Sequence, residues 1–118
     1  MKVIKAVPYL TVDDLDKELE YYLNSMHYEM VNSLTDEKGL FWVYIRNGGS
    51  EIMLSNRLVH GRRRLNWLYV EDVDKAYDQV IRSGGKPLNL PTDFGYNTRE
   101  FVIEDYSGNA HVIAQTLS

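Results

Sequence analysis

The chain has no cysteine, which removes disulfides, thiolate metal sites and thiol nucleophiles from consideration. It has three prolines in 118 residues and no apolar run of the length needed to cross a bilayer. The opening MKVIKAVPYL lacks the apolar core of a secretory signal, so the expected location is cytoplasmic. Positive charge is in deficit, since 13 Lys and Arg face 17 Asp and Glu and leave a formal net charge of −4. That balance disfavours non-specific binding to nucleic acid or an anionic membrane and mildly favours cationic ligands. Serines have no nucleophile-elbow context, and His27, His60 and His111 are spaced as structural or surface residues rather than as one site. Gly48-Gly49 and Gly84-Gly85 read as turn and cap glycines, because neither pair opens a phosphate-binding helix.

What is present is an ordinary globular composition, 44% hydrophobic and 25% charged, at the length of a single compact domain. Aromatics are plentiful, with nine Tyr, three Phe and two Trp. Such side chains are costly to expose and well suited to lining a ligand site.

The chain is one module written twice. VPYLTVDDLDKEL from Val7 returns as LNWLYVEDVDKAY from Leu65. At a constant offset Leu10 matches Leu68, Val12 matches Val70, and Asp14 matches Asp72. Asp16 and Lys17 likewise match Asp74 and Lys75, so the repeat fixes the architecture before any other reading. Both copies alternate like strands up to the Asp pair and then take helical spacing, through Leu15, Leu19, Tyr22, Leu23 and Met26 and through Val73, Ala76, Tyr77, Val80 and Ile81. Asp13 or Asp14, and Asp72, are the expected N-caps, and Ser83-Gly84-Gly85 is the expected stop of the second helix. FWVYIRNGGSEIML and EFVIEDYSGNAHVI each read as a strand, a glycine turn and a strand. Shorter strands fit before them, at 28–34 and 86–90. The expected fold is therefore α+β. Two βαβββ modules, 1–56 and 64–118, make one domain spanning 1–118, with curved mixed sheets forming a cleft and helices on the outside. HGRRR, the one basic cluster, falls between the modules and reads as a solvated connector.

Alternation assigns faces. Pro8, Leu10, Val12, Phe41, Val43 and Ile45 belong under the first helix, which turns Tyr9, Trp42, Tyr44, Glu51, Met53, Trp67 and Tyr69 away from the helices. Aromatic walls with a few polar groups suit a small-molecule site, or equally a subunit interface. Arg99 is placed at the same cavity as a ligand contact or as the partner of a carboxylate such as Glu51. Tyr96 either stacks on a ligand or packs the loop PTDFGYN. The ligand-binding set expected from sequence is thus Trp42, Tyr44, Glu51, Met53, Trp67, Tyr69, Tyr96 and Arg99, with no catalytic residue.

These features resemble the vicinal-oxygen-chelate superfamily of glyoxalases, bleomycin-resistance proteins and ring-cleaving dioxygenases. The resemblance rests on the paired modules, on the V-x-D-[LV]-D closing each first strand, and on REFVIEDYSGN, and it covers essentially the whole chain. KAVPYLTVDDLDKELEYY, LNWLYVEDVDKAY, and Tyr96 with Arg99-Glu100-Phe101 are most similar to the bleomycin-resistance type. Asn97 stands where that pattern usually has glycine, and Tyr106 where it usually has proline. Enzymes of the superfamily hold a divalent metal from four equivalent strand positions, which the resemblance places on Val7, Met53, Leu65 and Val112. None of these is a donor for such a metal. The resemblance therefore implies a protein without metal or other cofactor. Its expected activity is to sequester a partly aromatic, cationic ligand, in the manner of antibiotic resistance, at a homodimer interface. The alternative is a metal-dependent lyase, isomerase or dioxygenase of the same superfamily with an atypical metal site. Pro8 cannot donate a ladder hydrogen bond, so the start of its strand is expected to be an edge or hinge, at the dimer interface or exchanged across it.

Overall fold

A computed structural model describes all of Met1–Ser118. The chain separates into two compact units, Val7–Leu65 and Asn66–Ser118, the second taking in Met1–Ala6 as well. The first six residues therefore cluster with the later half of the chain.

The Val7–Leu65 unit contains most of β1 (Val3–Thr11), then α1 (Leu15–Asn24), β2 (Glu29–Asp36), β3 (Gly39–Asn47) and β4 (Ser50–Ser55). Its strands lie in the order β2-β3-β4-β1. β2–β3 and β3–β4 are antiparallel, whereas β1 runs parallel to β4 with Tyr9 opposite Met53 and Thr11 opposite Ser55. A helical crossover is what allows the first and last strands of the module to run the same way. Asp14 is the N-cap of α1, its side chain accepting a bond from the Lys17 amide at 3.1 Å. Leu15, Val43, Ile45 and Leu54 form the buried core under the helix, joined at its margin by Leu10, Val12, Leu19 and Tyr22. The two-residue turn between β3 and β4 sets Asn47 opposite Ser50, and Gly48 supplies the positive φ of 55° that such hairpins need.

The Asn66–Ser118 unit repeats the plan with β5 (Arg64–Val70), α2 (Val73–Arg82), β6 (Thr92–Phe94), β7 (Thr98–Glu104) and β8 (Ala110–Thr116), in the order β5-β8-β7-β6. Asp72 caps α2 by accepting from the Lys75 amide at 3.0 Å, the counterpart of Asp14. Gln115 reinforces the same helix start, its Oε1 accepting from the Val73 amide at 3.0 Å. Val70, Val73, Ala76, Phe101 and Ile113 form the core, and Tyr77 meets the Phe101 ring edge-on at 5.3 Å. α2 ends at the expected glycines. Gly84 has φ 86°, and a Cβ on Gly85 would come within 2.5 Å of the Val80 Cγ1.

The strand expected at 86–90 does not form. Pro87 makes an isolated bridge with Ile103, the Leu88 amide bonds the Val102 carbonyl, and Asn89 Oδ1 accepts from the Val102 amide at 2.8 Å. Pro87 lacks a donor and Asn89 contributes a side-chain acceptor, so the edge of β7 is satisfied without a regular ladder. The paired strand is instead the three-residue β6, with Asp93 opposite Arg99.

Pro8 lies one residue before the β1–β4 ladder, whose register begins at Tyr9. The division between units falls between Ala6 and Val7, one residue short of this proline. The connector is less free than expected, because the Arg63 carbonyl accepts from the Thr11 amide and the Arg63 guanidinium pairs with Asp13 at 3.1 Å.

Candidate functional site

In the Val7–Leu65 unit the face away from α1 is built by register. Trp42, Tyr44 and Arg46 on β3 stand opposite Ser55, Met53 and Glu51 on β4, and Tyr9 and Thr11 on β1 stand opposite Met53 and Ser55. This is the expected set, and the strand pleat alone puts it there. The Tyr44 hydroxyl donates to Glu51 Oε1 at 2.5 Å, and the Trp42 and Tyr44 rings meet edge to face at 6.2 Å. Burial and, after it, the carboxylate of Glu51 hold the Tyr44 hydroxyl well above its ordinary range. Tyr9 is anchored by donating to the Arg57 carbonyl at 3.0 Å. Ser55, fully buried, donates to the Phe41 carbonyl and accepts from the Arg57 amide.

In the Asn66–Ser118 unit the corresponding face carries Trp67 and Tyr69 on β5, Val112 and Ala114 on β8, and Thr98, Glu100 and Val102 on β7. One row across these strands reads Tyr69, Ala114, Glu100 and Thr92. Glu100 is only 2% exposed, yet its partners are two neutral hydroxyls. Tyr96 donates to Oε1 at 2.7 Å and Thr98 donates to Oε2 at 3.0 Å. Burial raises the carboxyl pKa, and the two hydrogen bonds offset part of that rise. The Tyr96 hydroxyl is itself pushed far up, by burial first and by its bond to Glu100 second, with Tyr69 adding to the effect. The Tyr96 ring stacks on Phe94 at 5.5 Å, so it both packs its loop and reaches the carboxylate. That loop turns at Asn97, which takes φ 69° where glycine is usual and is held by Leu117.

Seven of the eight residues expected from sequence thus lie on, or reach over, the faces turned from the helices: Trp42, Tyr44, Glu51 and Met53 in one unit, and Trp67, Tyr69 and Tyr96 in the other. Arg99 does not. It shares the α2 side of β7 with Phe101, and its guanidinium pairs with Asp74 in the first turn of α2 at 3.1 Å and with Asp93 on β6 at 2.9 Å. Neither of its carboxylate partners is Glu51. Alternation along β7 decides this, because once Phe101 is in the core Arg99 must follow it and Glu100 must face the other way. The same parity was the signal that could have identified Glu100.

The four positions on which the family resemblance places metal ligands, Val7, Met53, Leu65 and Val112, are buried apolar side chains. They offer no imidazole nitrogen or carboxylate oxygen, so they do not fit a divalent cation. Nowhere in the chain do three or more His, Asp or Glu side chains gather into a group that could hold one. Among the histidines, His111 contacts Asn66 at 3.3 Å on the helix side of β8, while His27 and His60 occupy positive-φ positions in loops.

No curated protein matches the sequence. Solved structures share the fold. A glyoxalase/bleomycin resistance protein/dioxygenase superfamily member from Vibrio splendidus 12B01 is 18% identical, with a TM-score of 0.71 over 96% of this chain and 98% of that one. The hypothetical protein BH1468 from Bacillus halodurans C-125 is 14% identical, with a TM-score of 0.77 over 99% and 95%. Methylmalonyl-CoA epimerase from Mycobacterium tuberculosis is 15% identical, with a TM-score of 0.70 over 96% and 86%. At these identities the likeness is one of fold alone. The sequence profile of the family reaches further, matching residues 4–113. With two βαβββ units in sequence and structure, the chain belongs to the Glyoxalase/Bleomycin resistance protein/Dioxygenase superfamily.

Proposed function

We propose that this chain is a small-molecule-binding member of the superfamily that sequesters a partly aromatic, cationic ligand and changes no bond in it. The observation that carries the reading is the pairing of aromatic rings with a carboxylate on each unit's face away from its helix. In one unit Trp42 packs on Tyr44, which bonds Glu51, and in the other Tyr96 bonds Glu100, with Tyr69 beyond Ala114 in the same row. Rings supply dispersion and cation–π attraction, and the carboxylates and the net charge of −4 favour a positive ligand. A cytoplasmic homodimer is part of the proposal. Met30, Val31 and Leu34 leave apolar surface in solvent on strand β2 that a second copy would cover.

The competing reading is a metal-dependent lyase, isomerase or dioxygenase with an atypical site. It draws on the fold shared with methylmalonyl-CoA epimerases, but the apolar side chains at Val7, Met53, Leu65 and Val112 weigh against it. Metal analysis of protein purified without chelator separates the two, alongside thermal-shift screening of aromatic ammonium compounds. Stabilisation by such compounds with no stoichiometric metal is the expected result. Stoichiometric Zn, Ni, Mn or Fe, with a turnover lost on chelation, would overturn the binding reading. Sedimentation that finds only monomer at micromolar concentration would remove the dimer.

A further inference from the structure

A carboxylate at 2% exposure normally has a cationic partner or a metal, because an isolated buried charge is strongly disfavoured. Glu100 has neither. Its two oxygens accept from Tyr96 and Thr98 hydroxyls. The Arg99 guanidinium next in sequence is on the opposite side of β7, committed to Asp74 and Asp93. On Glu100's own side the titratable groups of the unit are Lys5 on β1, over the Tyr69 ring, Tyr69 on β5, Tyr96 on the β6–β7 turn and Glu104 further along β7. β8 contributes only Ala110, Val112, Ala114 and Thr116, and β6 only Thr92 and Phe94. The Lys5 ammonium lies over the Tyr69 ring, 5.1 Å from its centroid.

We infer that Glu100 is the recognition carboxylate for an ammonium group carried on an aromatic body, with Tyr96 as the movable side chain that covers it and Tyr69 as the ring beside it. The inference rests on the small-molecule-binding reading and names the chemistry by which one unit selects its ligand.

Three features support this assignment. Ala114 separates Tyr69 from Glu100 in their row, so the position between ring and carboxylate is filled by a single methyl. The side chain over Glu100 comes from a turn and is 50% exposed, so rotating it uncovers the carboxylate without breaking a strand. The Tyr69 ring already lies beneath an alkylammonium, that of Lys5, which shows the geometry such a cation adopts on this face. An incoming ammonium takes the place of the Tyr96 hydroxyl on Oε1 and keeps the Thr98 bond to Oε2. Where Glu100 is protonated beforehand, its proton leaves to solvent as the cation arrives, so binding weakens at acidic pH.

The test uses phenethylammonium and its trimethylated analogue as probes, with neutral 2-phenylethanol as the isostere, by titration calorimetry at pH 8. In the wild-type protein the ammonium probes should bind roughly tenfold or more tighter than the alcohol. In Glu100→Gln the three should become nearly equal. A second measurement avoids dependence on the variant's folding. The Glu100 carboxyl carbon, followed by NMR in the wild-type protein, should titrate at lower pH once phenethylammonium is bound. Alcohol and ammonium binding equally well to the wild type, a preference that persists in Glu100→Gln, or a carboxyl titration that the probe does not move would each overturn the assignment while leaving ligand binding standing. If none of the probes binds, the binding reading fails and this assignment fails with it.

Discussion

Replacing Phe101 by alanine should destabilise the Asn66–Ser118 unit by about 4 kcal/mol, the middle of the usual range for a fully buried phenylalanine. The figure follows from its surroundings. Phe101 is inaccessible to solvent and sits among Val70, Val73, Ala76 and Ile113. Its edge-on contact with Tyr77 adds to the area term by about 1 kcal/mol. Phe101→Leu keeps most of the volume and should cost less than about 1.5 kcal/mol. Urea unfolding followed by tryptophan fluorescence reads the difference, since Trp67 is buried in the same unit. With a slope of about 2 kcal/mol per molar urea, the alanine variant's midpoint should fall by roughly 2 M. The experiment also tests which way β7 faces. Were the register displaced by one residue, Phe101 would point away from α2 and Glu100 into the core. A midpoint lowered by less than about 0.5 M would refute the face assignment on which Glu100's role depends.

Asp72→Ala should cost about 1 kcal/mol by orphaning the Lys75 amide, measured as the same midpoint shift. Asp14→Ala should match it at α1, and a null effect in both would deny the caps their role. Arg99→Ala should lower stability by no more than about 1 kcal/mol, with the loss shrinking at high salt, because its pairs with Asp74 and Asp93 are largely exposed. The variant should keep wild-type ligand affinity, and impaired binding would return Arg99 to the site. Glu100 predicts a pH dependence of stability. Its folded pKa is raised, so its favourable contribution is complete below the unfolded pKa and is lost as pH climbs through the folded value. Glu100→Gln should therefore gain stability over the wild type at neutral pH, and the gap should close toward pH 4. Thermal melts across that range would contradict the reasoning if the gap opened in the acidic direction.

The repeat made most of the architecture legible. Asp14 and Asp72 announce the helix starts, and the alternation of Trp42 with Val43 and Tyr44 with Ile45 assigns β3 its two faces without reference to any contact. The failures have local causes. Residues 86–90 carry the apolar content of a strand, but Pro87 has no donor and Asn89 satisfies β7 through its side chain, so the ladder moves on to Thr92–Phe94. The expectation that Arg99 borders the cavity rests on its following Tyr96 closely. Tyr96, however, sits in a turn and reaches over the sheet, whereas Arg99 obeys the pleat. Glu100 is absent from the set expected from sequence. Its burial depends on Tyr96 folding back over it, a contact between a turn and a strand that no periodicity encodes.

The division of β1 between Ala6 and Val7 has a consequence for the order in which the chain can fold as it is synthesised. Val7–Leu65 has all its own residues once Leu65 has left the ribosome, and it can close on itself while the second module is still being made. Val3–Ala6 emerges earlier than any of them but belongs with a unit whose other members are made only after Leu65. Until Asn66–Ser118 is complete, these four residues are a strand without its sheet, tethered at Pro8 to a finished neighbour. The second unit is thus completed by a segment made before all of Val7–Leu65, through a closure that spans that whole stretch of chain, and the docking of that strand should be a late step in its folding.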